Sequence, residues 1–306
     1  MIEYFIGILM GVAWGATNNI GMVLEKYVIN QIPLEERSKA FFKNLIKNKI
    51  WVIGFIFDIG VSSIFFILGQ LLVGPTLLPG LGASGLIIMA IGSTIIVKEK
   101  IKGMEIIAVI SLIVAIFLLG FSGLLIEVTN YDFSDESFLI RSAVFLGIIF
   151  SLILIFELTQ KKSLQFRGLS LAIIAGLWAM IQNFVMAFFT AAISKVTSGS
   201  IELIWIYMMI IGGVLAFLSL AISIARMQVG FRYTDAHLAI PVREIPTQVG
   251  PAFLYVIVFA LTPPTPYSIP FLYISIVLII ISTFVLGKRQ AQLEKIDLIE
   301  EIDELI

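Results

Sequence analysis

The chain has 306 residues, of which 59% are hydrophobic and 13% are charged. Soluble globular proteins carry roughly twice that charged share, so an ordinary soluble enzyme built around one core is excluded. The 20 basic and 21 acidic residues nearly cancel, which excludes a strongly basic nucleic-acid-binding chain, and the absence of cysteine excludes disulfides and thiolate chemistry.

Apolar blocks about 20 residues long recur along the chain, and each block is long enough to cross a bilayer as a helix. The sequence therefore predicts an all-α, multi-pass membrane protein, most simply in the cell membrane. Gly74-Pro75 alone separates the second and third blocks, which predicts an antiparallel helical hairpin there. The nine predicted spans are 3–25, 50–73, 75–97, 104–126, 138–158, 169–192, 203–226, 235–260 and 267–287.

The distribution of basic residues supports this count, because with nine spans 17 of the 20 fall on one side of the membrane. The positive-inside rule places that side in the cytoplasm, with the N-terminus outside and the C-terminus inside. Residues 31–49 alternate apolar and basic side chains and are predicted to lie as an amphipathic helix on the anionic inner leaflet. The tail 288–306 is predicted to be an acidic amphipathic helix, either solvated or used for docking or a homodimer contact.

Spans one and six share a short pattern in which a tryptophan is followed four and five residues later by an amide pair. Spans three and eight each carry a proline near their starts, Pro79 and Pro241. The matches recur at lags of 164 and 162 residues, which predicts duplication of a four-helix unit. The matching residues of spans one and six are Trp14 with Asn18 and Asn19, and Trp178 with Gln182 and Asn183.

The predicted organisation is a first four-helix repeat (1–126), a linking helix (127–168), a second four-helix repeat (169–287) and the tail 288–306. Span one starts outside and span six starts inside, so the two repeats are predicted to be inverted. Inverted repeats around a midplane binding site are the layout of many secondary transporters.

Span eight holds the strongest group of polar residues. Arg243 lies about 12 Å into the predicted span, where a charge costs ~2.5–3.5 kcal/mol on insertion scales. The prolines remove backbone donors and predict a broken helix that faces protein or a wet cavity. The group comprises His237, Pro241, Arg243, Glu244, Pro246, Thr247, Gln248, Gly250 and Pro251.

Two interpretations of this group stay open. Arg243 could form a structural ion pair that locks helices together. Alternatively, Arg243 binds an anionic or polar group of a substrate, Gln248 lies beside it, and Glu244 acts as a counter-ion or proton carrier.

Other polar or helix-breaking positions complete the predicted site. Asp58 in span two lies at the same depth as Arg243 and is predicted either to pair with it or to titrate during transport. The amides Asn18, Asn19, Gln182 and Asn183 bind a ligand or only each other. The predicted helix-break or gating residues are Pro79, Gly80, Gly82, Pro241 and Pro246, although close helix packing is the commoner explanation for the small residues of span three.

No enzyme motif occurs: HExxH, GxSxG and a phosphate-binding Gly-Lys-Ser/Thr loop are all missing. The sequence therefore predicts neither an enzyme nor a pump driven by ATP through this chain alone. No cofactor, dedicated metal site or nucleic-acid partner is predicted.

Three stretches resemble the drug/metabolite transporter superfamily, specifically its EamA-like members. They are Gly11 to Lys26, the turn Glu99-Lys100-Ile101 followed by Gly103, and Tyr233-Thr234-Asp235-Ala236 followed by Pro241. The resemblance implies an inverted-repeat carrier, usually with ten helices, and the nine-helix layout is most similar to NIPA-type magnesium transporters. The acid and amide that those transporters carry before the proline are replaced here, near Ser62 and Phe65.

The sequence thus predicts a secondary transporter that moves a small polar metabolite across the lipid bilayer by alternating access. One rival is a divalent-cation carrier, with magnesium held by Asp58 and Glu244. A rival of another class is a membrane scaffold or receptor that transports nothing and depends on its acidic tail.

Overall fold

All the secondary structure that could be described is helical. The computed structural model describes residues 2–30, 46–88, 90–91, 103–160, 164–200, 202–230, 233–234 and 236–305, with the backbone alone at 25–26, 29–30, 164–165, 228, 236–237 and 288–305. No strand occurs in these ranges. The predicted surface helix 31–49 lies mostly outside the described residues, except that Asn48 caps the next helix through its side-chain oxygen.

Nine α-helices are described along the chain. They are α1 (Ile2–Asn30), α2 (Lys49–Phe55), α3 (Ser62–Gly82), α4 (Gly103–Ser122), α5 (Glu136–Thr159), α6 (Leu164–Thr197), α7 (Leu203–Gly230), α8 (Ala236–Phe253) and α9 (Ser268–Leu305). Two π-helical stretches, Ile56–Val61 and Leu254–Val258, follow α2 and α8. The tail predicted to be helical is part of α9, which continues without a break to Leu305.

Seven helical stretches of the described chain are long and apolar enough to cross a membrane: Ile2–Leu24, Lys49–Ile88, Gly103–Ser122, Glu136–Thr159, Phe166–Thr197, Leu203–Met227 and Ser268–Gly287. In class, the chain is an all-helical, multi-pass membrane protein. The count of nine spans, their orientation and the identity of the membrane stay predictions.

Two features account for the difference between seven and nine. The helix α8 carries Arg243, Glu244 and three prolines, so it is too polar to count among the seven stretches that could cross a membrane. The stretch Lys49–Ile88 counts once, although its path is not straight. Gly74 inside it has φ +76° and ψ −179°, which is far from helical geometry.

The chain reverses direction at Gly74. Before it, Asp58 packs against Gly21 of α1, and at the reversal Val73 packs against Gly7. After it, Gly82 packs against Gly15, so the chain now runs back along α1. The antiparallel hairpin predicted at this point is therefore confirmed.

The helices α6 and α8 pack in parallel, as α1 does with the part of α3 that follows Gly74. Gly168 packs against Thr234 at one end, Gly176 lies against Arg243 and Pro246, and Met180 contacts Gly250 further along. The order of these contacts shows that α6 and α8 run in the same direction. This likeness is what a duplication would produce, while the repeat boundaries stay predictions.

The predicted break in span eight is not where the prolines lie. The helix α8 keeps helical geometry through Pro241 and Pro246, and the change to π-helix comes only at Leu254. In the first half the helix does end at Gly82, where Ala83 and Ser84 donate to carbonyls three residues back. Proline removes a donor without forcing a break when the freed carbonyl finds other partners.

The arm that follows Gly74 forms the centre of the molecule. Leu77, Leu78 and Leu81 have no exposed surface, and α1, α4, α6, α8 and α9 all pack on α3. By contrast, α5 and α7 expose large apolar side chains, which suits a surface in contact with lipid.

Replacing Gly74 with alanine should destabilise the fold. A Cβ atom there would lie 2.5 Å from the carbonyl oxygen of Ile126, and a backbone with φ +76° and ψ −179°, which is essentially restricted to glycine, costs other residues about 1–3 kcal/mol. Thermal unfolding in detergent should show a lower midpoint for Gly74→Ala. The matched control is Gly147→Ala on α5, where a Cβ would meet nothing within 4 Å and the midpoint should stay or rise slightly.

Candidate functional site

Polar side chains from three helices meet the buried segment 75–85, which we call the central arm. It comprises the part of α3 after Gly74 and the turn at Ala83–Ser84. Pro79 has no N–H for the carbonyl of Pro75, and the carbonyl of Pro79 lacks its helical donor because the helix ends and Ala83 donates to Gly80 instead. These two carbonyl oxygens organise the contacts around the arm.

The first contact is made by Asn183 of α6. Pro79 has no N–H group, so the carbonyl oxygen of Pro75, four residues earlier, has no helical donor. The side-chain nitrogen of Asn183 donates to that oxygen at 2.8 Å, and Asn183 is only 7% exposed. A side chain of the predicted second repeat therefore satisfies the backbone of the first.

The second contact lies one turn further along the arm. Gln248 of α8 donates to the carbonyl oxygen of Pro79 at 3.5 Å and to Glu244 Oε2 at 3.2 Å. Glu244 Oε1 in turn accepts from Arg243 Nη1 at 3.2 Å. Arg243, Glu244 and Gln248 are thus linked in a continuous polar cluster that ends on the central arm, with Gly80 facing the amide of Gln248.

This geometry corrects one interpretation of Arg243. Its partner Glu244 is the adjacent residue of the same helix, so the ion pair does not lock two helices together. The side chains of Arg243 and Glu244 keep 30% and 19% of their surface exposed. The pair is therefore partly exposed and is not sealed in the core.

The close approach of α6 to α8 fixes the backbone of this cluster. At Gly176 any side chain would collide with the carbonyl oxygen of Arg243 and the ring of Pro246. Thr247 also donates its hydroxyl to the Arg243 carbonyl at 3.1 Å. The predicted gating residue Pro246 is therefore a packing contact in this arrangement.

Asp58 has a different partner from the one that the sequence suggested. Its Oδ1 atom accepts from the side chain of Asn18 at 2.5 Å. Asp58 and Arg243 are both described, and no ion pair joins them, so the predicted pairing is wrong in this structure. Arg243 is therefore paired with a charged group, Glu244, whereas Asp58 has only a neutral amide as its side-chain partner.

The remaining predicted residues are spread along the arm. Asn19 donates to the carbonyl of Gly15 at 3.0 Å and lies against Gly85, at the far end of the central arm. Gly82 faces the ring of Trp14. Gln182 makes no hydrogen bond within the described part of the chain, and Pro241 is buried in α8. The side chain of His237 lies outside the described residues.

Two buried polar residues escaped the sequence prediction. Gln70 has no exposed surface, and neither atom of its amide has a hydrogen-bond partner among the described residues. Thr76 is 2% exposed, and its hydroxyl is also without a partner there, as is the side-chain oxygen of Asn183. An isolated amide in an otherwise apolar run is the signal that could have identified Gln70.

A separate cleft of about 430 Å³ lies at the loop 129–134, beside Lys195 and Trp205. None of the predicted site residues lines it. Hydrogen bonds from the hydroxyl and backbone N–H of Ser134 lower the pKa of Asp132, so this rim is negatively charged at neutral pH. The ammonium group of Lys195 lies 5.9 Å from the centre of the Trp205 ring on the same wall.

Arg141 has a role that its place at the start of span five did not reveal. Its Nε atom donates to the carbonyl oxygen of Val258 at 2.9 Å, and Tyr131 donates to that of Phe259 at 3.2 Å. Both carbonyls terminate the π-helical stretch after α8. The two side chains therefore hold the end of the π-helical stretch against α5 and the loop before α5.

No family model matches the chain, and no match was found among curated proteins or solved structures. The resemblance to the drug/metabolite transporter superfamily stays a prediction from short motifs. Function is therefore argued from the central arm and its contacts.

Replacing Asn183 with alanine should destabilise the protein by about 1–3 kcal/mol, because the carbonyl of Pro75 would be left buried without a donor. The neighbouring Gln182→Ala provides the control, since Gln182 is more exposed and donates no described hydrogen bond. Thermal unfolding of both variants in the same detergent measures the difference. Equal midpoints would show that the Asn183 contact does not support the fold.

Proposed function

We propose that the chain is a secondary membrane transporter that moves a small polar metabolite by alternating access between two inverted repeats. One observation carries the proposal. Two side chains of the predicted second repeat, Asn183 and Gln248, bind carbonyl oxygens of the predicted first repeat at Pro75 and Pro79. These two polar contacts lie where the predicted halves meet.

The chemistry of this meeting place suits a polar solute. The Arg243–Glu244 pair offers a cation and an anion that both retain exposed surface. Thr76 at the start of the central arm and Asn183 on the helix that contacts it add a buried hydroxyl and a buried amide oxygen without described partners. Buried polar atoms of this kind are costly unless a ligand or water satisfies them. A solute that carries an anionic group and hydrogen-bonding groups would use both sets.

The hydrogen bonds that join the halves at the central arm are few, while α4 and α9 also pack against each other across the halves. A net hydrogen bond contributes about 0.5–1.5 kcal/mol, and the bond from Gln248 to Pro79 is long at 3.5 Å. Relative motion of the halves would break these few bonds while leaving the glycine-lined contacts within each half intact. Such motion around a fixed central site is the basis of alternating access.

The rival divalent-cation carrier has less support. Asp58 binds Asn18, whereas Glu244 binds Arg243, so the two carboxylates have different partners. The guanidinium group beside Glu244 would repel a dication, and magnesium requires carboxylates together with its own waters. Nothing described favours the scaffold interpretation over either carrier.

A thermal-shift screen of the purified protein against sugars, amino acids, nucleotides, organic anions and divalent cations tests the proposal. A ligand at a hundred times its Kd should stabilise the protein by about 2.7 kcal/mol. We expect an organic solute to raise the midpoint, Arg243→Ala to remove the shift, and the same solute to move across the membrane of proteoliposomes.

The matched control is Arg226→Ala, because Arg226 pairs with Glu157 at 2.8 Å and is not part of the central cluster. It should preserve the shift. A shift with magnesium alone, lost in Asp58→Ala, would instead identify a cation carrier. If Arg243→Ala lowers only the yield and binding per molecule is unchanged, the substrate role of Arg243 is wrong.

A further inference from the structure

Asp58 is a carboxylate inside an apolar helical stretch, and its only described side-chain partner is an amide. Asn18 donates to it at 2.5 Å, and none of the described basic side chains forms an ion pair with it. The stretch around it, Lys49–Ile88, is among those apolar enough to cross a membrane. A carboxylate in that setting is costly when it is charged and has no cation beside it.

The surroundings of Asp58 contain few other titratable groups. The elements packed on its π-helical stretch are α1, α2 and α3. The helix α3 has no ionisable residue, and α2 has only Lys49, at its first position. The titratable residues of α1 are Glu3, Tyr4, Glu25, Lys26 and Tyr27, of which the side chains of Glu25 and Lys26 lie outside the described structure.

The backbone at Asp58 is also unusual. Ile56–Val61 is π-helical, a form that occurs mostly as short insertions and often at functional sites. The carbonyl oxygen of Asp58 accepts from the hydroxyl of Ser62, and Asn18 lies 3.5 Å from the same oxygen. Asn18 therefore contacts both the side chain and the backbone of Asp58, which ties α1 to this stretch.

We propose that Asp58 is a proton-binding site and that the proton it carries is the coupling ion of the transporter. The inference rests on the proposed transport function for its physiological meaning. One proton adds to a carboxylate oxygen and the charge of the residue changes from −1 to zero; release reverses the step. Asn18 presents an N–H donor to the carboxylate, whereas a metal ion would require several oxygen ligands.

Protonation would change how α1 is held. An ionised carboxylate accepts a charge-assisted hydrogen bond, which is about twice as strong as a bond between neutral groups. The neutral carboxyl group binds Asn18 more weakly and loosens α1 from the π-helical stretch. Because Gly15 of α1 packs directly on the central arm at Gly82, a change in α1 reaches the proposed solute site.

The test uses purified full-length protein and no solute. Infrared difference spectra between about pH 8 and pH 6.5 report protonated carboxyl groups, while surface carboxylates stay ionised because they titrate near about pH 4, well below this window. We expect a carboxyl band that grows as pH falls across this window. It should be absent in Asp58→Asn and present at a shifted frequency in Asp58→Glu.

The matched control is Asp132→Asn, in which the same substitution is made on an exposed loop outside the helices. Its lowered pKa keeps Asp132 ionised in this window, so the band should be unchanged. A band that survives in Asp58→Asn, or a wild-type protein with no band until the surface carboxylates titrate, would overturn the proposal. If Asp58→Asn does not fold, the frequency shift in Asp58→Glu decides the assignment.

The two proposals fail separately. A negative solute screen together with an Asp58 band would leave a proton site in a protein that does not transport those solutes. A positive screen without the band would leave a transporter that uses another coupling ion or none.

Discussion

The structure depends on how backbone carbonyls are satisfied in an apolar setting. Proline at position 79 leaves the Pro75 carbonyl without a helical donor, and no bulk water reaches a buried segment to replace it. The side chain of Asn183 fills this role from a helix that is 108 residues away in sequence. The same requirement accounts for Gln248 at the carbonyl of Pro79. The need for backbone donors therefore brings polar side chains of one half of the molecule to the centre of the other.

Glycine makes that approach possible. At Gly74 the positive φ lets the chain reverse within one residue, which places the central arm back against α1. At Gly176 the absence of a side chain lets α6 touch the backbone of α8 beside Arg243. The contacts that define the candidate site therefore follow from close helix packing at these glycines.

The charges are arranged in two independent groups. Arg243 and Glu244 neutralise each other within α8, next to Gln248, and remain accessible. Asp58 is compensated only by the amide of Asn18, between α1 and the π-helical stretch. The proposed carrier would need a mechanical link between its solute site and its proton site. The helix α1 is placed to provide one, because it packs on both the π-helical stretch and the central arm.

The sequence alone determined the membrane class, because an apolar helix of about 20 residues matches the hydrocarbon thickness of a bilayer. It also determined the reversal at Gly74-Pro75, since local backbone preferences suffice for a tight turn. It identified Arg243, Glu244, Gln248 and Asp58 as important, because a polar group in an apolar span has a cost whatever its neighbours are.

Only the tertiary structure decided which partner offsets each cost. It paired Asp58 with Asn18 and Arg243 with Glu244, kept α8 helical through Pro241 and Pro246, and left Gln70 and Thr76 buried without described partners. The physical reason is that burial costs follow from residue type, whereas the distance between residues far apart in the chain is set by how the helices pack.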